Sequence, residues 1–129
     1  MSFQKKKQHQ LNLKKKLPMS LEDEISELYE EPGIGASNIN TYGEENIRSL
    51  LEKYNGLNDS DSEIMLNLIK DFSLSADLAS SFVSVAVLHA LGKSEYVQEA
   101  ENAAKKRSDS DLFLNHFEIG KSIADYFAL

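Results

Sequence analysis

The chain has 129 residues, a length that suits one domain with its own core better than two. It contains no cysteine, which excludes disulfides, thiolate nucleophiles and cysteine-held zinc or iron–sulfur clusters. The net charge of −7 divides unevenly: residues 1–18 hold six lysines and no acid, which leaves 8 basic and 21 acidic residues, or −13, to the rest.

The opening MSFQKKKQHQLNLKKKLP combines two lysine triplets, few apolar residues and a terminal proline. Alone it cannot recover the entropy lost on ordering, so residues 1–18 are expected to form a disordered basic tail. Lys5, Lys6, Lys7, Lys14, Lys15 and Lys16 are the candidate polyanion-binding residues, because such lysine density draws phosphate backbones and anionic surfaces without regard to sequence. Phe3, Leu11, Leu13 and Leu17 give the segment amphipathic fragments, too sparse for a membrane-surface helix.

A helical domain is expected over residues 19–129. Ser20, with Asp23 three residues on, opens a helix to Glu31, with Leu21, Ile25, Leu28 and Tyr29 on one side, and Pro32-Gly33 stops it. The glycine-rich Gly33 to Gly43 reads as a loop, and lacks the strand and downstream spacing of a phosphate cradle. Thr41 with Glu44 forms a second capping box before a helix striped by Ile47, Leu50, Leu51 and Tyr54, ending at Asn55-Gly56. The run from Asn58 to Glu63 starts a third helix, with Ser60 and Glu63 as its capping box and Ile64, Met65, Leu68, Ile69 and Phe72 inward. An EF-hand loop starting at Asp59 is excluded, since Ile64 and Lys70 stand where glycine and a bidentate glutamate are needed.

The least polar stretch is Ser75 to Gly92, in which Leu78, Ala79, Phe82, Val83, Ala86, Val87, Ala90 and Leu91 recur at helical spacing while Val85 and Leu88 make other faces apolar too. The expected fold is therefore all-α, a compact bundle of five or six helices around a buried central helix at about 76–91, capped by Ser75 and closed by Gly92. Lacking lysine and arginine, this helix does not suit the recognition role of a helix-turn-helix. A leaner helix from Lys93 carries Tyr96, Val97, Ala100, Ala103 and Ala104. A last one from Asp111 carries Phe113, Phe117, Ile123, Ala124 and Phe127, widened by Leu112, Ile119 and Tyr126. Residues 60–67 and 108–115 are similar at an offset of 48, which reads as repeated helix-start chemistry rather than a solenoid period.

The C-terminal stretch Ser122 to Leu129 resembles part of a sliding-clamp-binding peptide, with Ile123 three residues before the aromatic pair Tyr126-Phe127 and Gly120 where that motif has glutamine. The resemblance implies that Ile123, Tyr126 and Phe127 are partner-binding residues, although they also continue the apolar face of the last helix. The fragment Gln10-Leu11-Asn12-Leu13 is loosely similar to a bacterial clamp-binding peptide, with Lys14 in place of an aromatic.

No cofactor and no metal site are expected, since His9, His89 and His116 are far apart and share no ligand spacing. The adjacent pairs Glu30-Glu31 and Glu44-Glu45 point to different sides of a helix, so no catalytic residues are assigned and an enzyme is not expected. With no apolar run of membrane-spanning length and no signal-peptide pattern, a cytoplasmic protein without membrane contact is expected. The function expected is a non-catalytic interaction module, a small adaptor, regulator or assembly subunit that binds another protein through an acidic helical body. The alternative is a nucleic-acid-associated accessory factor anchored by the lysine tail, with a clamp-binding-like C-terminus.

Overall fold

The computed structural model describes residues 19–35 and 40–128; the segment 1–18, with its six lysines and its expected disorder, lies outside the described residues. Among the described residues the regular structure is entirely helical: α1 (Leu21–Glu30), α2 (Glu44–Asn55), α3 (Asp59–Ser73), α4 (Leu78–Ala90), α5 (Ser94–Lys105) and α6 (Ser110–Ala128). None of these helices is long and apolar enough to cross a membrane.

The architecture follows from α4. Eight consecutive residues, Ser81 to Leu88, are buried, so every face of this helix meets protein. Helices α2, α3, α5 and α6 pack around it, with α6 its most extensive neighbour, and α1 lies over α2 and α3. Val83, Val85, Val87 and Leu88 join Ile25, Ile47, Leu50, Met65, Ile69, Phe113 and Phe117 in one core. At the far end of α4, Gly92 adopts φ +75 and the Lys93 and Gly92 N–H groups donate to the carbonyls of Leu88 and His89, closing the helix and turning the chain into α5.

Several helix starts differ from those expected. Asp77, not Ser75, caps α4, its Oδ2 accepting from Ser80 N at 3.0 Å and Ser80 Oγ at 2.7 Å, while Ser75 Oγ holds the Asp77 N–H one step earlier. Asn58, not Ser60, caps α3 by accepting from Asp61 N at 2.8 Å. Ser20 caps α1 as expected, at 3.0 Å from Asp23 N.

The Thr41–Glu44 box does not cap α2. Gly43 stands at the helix start with φ +73, and its missing side chain is what lets the chain pass close to α4: a Cβ there would come within 2.9 Å of Val83 Cγ2. The capping acceptor instead comes from Asn40, whose Oδ1 receives the Glu45 N–H at 2.9 Å, and Glu44 Oε1 accepts from Tyr42 N. Asn40 Nδ2 donates to Asn46 Oδ1 at 2.9 Å, and Asn46 Nδ2 donates to the Leu28 and Pro32 carbonyls, both at 3.0 Å. Two fully buried asparagines thus join the end of α1 to the start of α2.

The inward face of α3 is also turned from the expected one. Leu66 is buried and Ile64 is 44% exposed, because α3 is covered on its Met65–Leu66–Ile69–Ser73 side. Ser81 Oγ donates to the Ser73 carbonyl at 2.7 Å there, so two serines sit in the core without an unmet hydrogen bond. In α5, Val97, Ala100 and Ala104 face inward and Ala103 is exposed.

Candidate functional site

Helix α6 crosses α4 at Gly120. A Cβ at that position would meet the Phe82 carbonyl oxygen at 3.1 Å and Ala86 Cβ at 3.3 Å, so the two backbones touch where any larger residue would hold them apart. Phe113, Phe117 and Ala124 bury the same side of α6, with Phe113 and Phe117 edge-on at 6.2 Å. Lys121 ties the next face to α5 by pairing with Glu101 at 2.8 Å and also pairs with Glu118 of its own helix at 2.8 Å; these carboxylates raise its pKa, Glu101 most.

A different line of α6 residues is left partly uncovered. Leu112, His116, Ile119, Ile123 and Tyr126 follow one another at four, three, four and three residues and therefore share one stripe of the helix. Its two ends stand out, with Leu112 47% and Tyr126 76% exposed, and its middle is half-buried. One edge is walled by Tyr42, whose ring meets the His116 ring edge-on at 6.3 Å, while Phe82 supports His116 from below at 5.4 Å. His116 Nδ1 lies 2.9 Å from the Leu112 carbonyl, one helical turn back.

Next to this stripe on its solvent flank stand Asn115 and Ser122, with a line of acids beyond them. Asp111, Glu118 and Asp125 lie on the solvent side of α6, and Glu44 sits beside Tyr42. Asp125 Oδ1 is 2.7 Å from His89 Nε2 and remains largely exposed. The surface is a narrow apolar strip, exposed at its two ends and half-buried between them.

Of the three residues expected to bind a partner, Ile123 and Phe127 pack against the core and Tyr126 projects from it. They lie within a continuous helix, and Gly120, the position of the clamp motif's glutamine, is enclosed at the α4 crossing. Sequence spacing had no means of finding Tyr42, a loop residue brought to α6 by the tight passage at Gly43. The lysines at 5–7 and 14–16 lie outside the described residues.

Two other concave regions among the described residues are small or open. One cavity of ≈ 50 Å³ lies between Ser73, Leu74, Ala100, Arg107 and Phe113, below the usual size of a ligand site. An open depression of ≈ 400 Å³ on α1 is lined by Met19, Asp23, Ser26, Glu27 and Glu30. Among the described residues, no three histidine or carboxylate side chains gather in a metal-binding group. Among the described residues, burial drives the Tyr29 hydroxyl pKa far up, opposed by its 2.6 Å hydrogen bond with Ser84.

Among the described residues these features define an all-α bundle in which the α6 stripe is partly uncovered. No family model matches the chain, no curated protein matches it, and no solved structure matches it.

Proposed function

We propose that the protein is a non-catalytic interaction module, a small adaptor, regulator or assembly subunit, and that the α6 stripe is where it holds its protein partner. The observation that carries this reading is the placement of Tyr126 and Leu112, large apolar side chains left 76% and 47% exposed at the two ends of one helical line. A tyrosine on a rigid helix contributes contact area at low entropic cost, and such residues are enriched among those that dominate binding energy. The surplus of acid over the helical body, −13 beyond residue 18, favours a basic or mixed-charge partner.

The test is photocrosslinking in the native host, with a photoreactive phenylalanine analogue at position 126 and a control at Asp71, an exposed residue of α3. One discrete adduct from position 126 and none from position 71 is expected. Equal adducts from both positions, or none from 126, would remove the reading. The lysine segment supports a second reading as an anchor to nucleic acid; deletion of residues 1–18 then abolishes polyanion binding while leaving the adduct at 126 intact.

A further inference from the structure

We propose that a second copy of this chain occupies the α6 stripe, the two α6 helices lying antiparallel about a two-fold axis near Ile119. The inference rests on the reading of α6 as the docking surface and names an occupant for it. Spacing, charge and area all bear on that choice.

Leu112, His116, Ile119, Ile123 and Tyr126 recur at four, three, four and three residues, which is the alternation of a seam between paired helices. The stripe runs ~21 Å along α6. Its two most exposed members stand at its ends, seven residues to either side of Ile119. An antiparallel pair therefore lays Tyr126 of each copy over Leu112 of the other and covers both. Such a strip complements itself, as an interface around a two-fold axis must. A parallel pair would set tyrosine on tyrosine and leucine on leucine, with the two helix dipoles aligned unfavourably side by side.

The charges are arranged to permit a like pair. Asn115 and Ser122, both exposed and both neutral, are the residues beside the stripe toward solvent, and Asp111, Glu118 and Asp125 stand one row further out. In the antiparallel pair the neutral row of one copy meets the neutral row of the other, Asn115 beside Ser122, and the carboxylates stay off the line of contact. Like charges facing each other across that line would oppose the pairing.

Area sets the strength. Leu112, Tyr126 and Tyr42 are exposed, and with the half-buried residues between them they present on the order of 500 Å² per copy. That is less than the ~800 Å² per partner of a standard interface and falls among weak, reversible ones. The net charge of −7 on each copy adds a general repulsion, so the pair tightens as salt screens it.

Sedimentation equilibrium of the full chain is expected to show monomer and dimer exchanging with a dissociation constant between about 10 μM and 1 mM. The constant should fall about threefold or more between low and high salt. Tyr126→Ser should raise it about tenfold or more and leave the circular dichroism spectrum unchanged. Orientation can be read with introduced cysteines, because the native chain has none. Chains carrying Asn115→Cys, mixed with chains carrying Ser122→Cys under mild oxidation, should give the mixed disulfide in excess over either symmetric one. A monomer throughout, a dimer that loosens with salt or ignores Tyr126→Ser, or an excess of symmetric disulfides would overturn the inference. Photocrosslinking from position 126 in the host separates the two claims. An adduct with another protein, while the purified chain stays monomeric, removes the second copy and leaves the docking reading. No adduct from 126, beside a dimer that behaves as expected, removes the docking reading and leaves the pairing.

Discussion

Replacing Asn46 by aspartate changes one buried atom pair and leaves the shape of the side chain intact. Asn46 is wholly buried; its Nδ2 donates to the Leu28 and Pro32 carbonyls at 3.0 Å each and its Oδ1 accepts from Asn40. Aspartate keeps the acceptor and turns the donor into an oxygen facing two carbonyl oxygens. If ionised, it is a buried charge with one favourable partner and two repulsive ones, a situation that costs about 3–5 kcal/mol. Protonation relieves it, since the acid can donate to one of the two carbonyls. The folded-state pKa therefore rises above the ~3.9 of the unfolded chain, and a rise of two to three units corresponds to about 3–4 kcal/mol at pH 7. The sign follows: the loss is complete above the raised folded pKa, shrinks as pH falls through it, and levels off below the unfolded value. Urea unfolding followed by circular dichroism at pH 7 and pH 4.5, each against the parent chain at the same pH, measures the gap. A gap under about 1 kcal/mol at pH 7, or one unchanged at pH 4.5, would refute the role assigned to the asparagine pair.

Val83→Asp places a carboxylate at a fully buried site in the central helix, and the loss of apolar burial plus an unpaired charge consumes most of a typical stability of about 5–15 kcal/mol; scanning calorimetry should show no cooperative transition near the parental temperature. Gly120→Ala gains about 1 kcal/mol of helix propensity but must push α6 away from the Phe82 carbonyl, an overpacking cost of about 1–3 kcal/mol, so chemical unfolding should show a net loss. A stabilised variant would show that the crossing yields easily. Tyr126→Ser should leave unfolding within about 0.5 kcal/mol of the parent, while the crosslinked adduct made from a photoreactive group at position 112 weakens severalfold.

How much of this was legible in the sequence depends on how local the cause is. The α4 core could be read because Phe82 to Leu88 is apolar on all sides, a property that needs no knowledge of neighbours. The Ser20 cap was legible for the same reason: acceptor and donor are three residues apart. The start of α2 was not, since its acceptor comes from Asn40, and Gly43 combines a left-handed φ of +73 with a close approach to Val83, forty residues away in the chain. Ile64 and Leu66 exchanged roles because α3 buries the side that carries Ser73, and a serine satisfied by its own turn and by Ser81 gives no hydrophobic signal. The apolar line on α6 could be listed residue by residue, but its partial exposure depends on where α2 and its preceding loop stop covering it.

The contact at Gly120 separates the two sides of α6 in what each permits. One side is fixed by backbone touching backbone, so the axis of the helix does not depend on what its outer residues are. Positions 112, 115, 122 and 126 are consequently open to exchange without disturbing the bundle, and a lineage could retarget this protein to a different binding mate through those four sites alone.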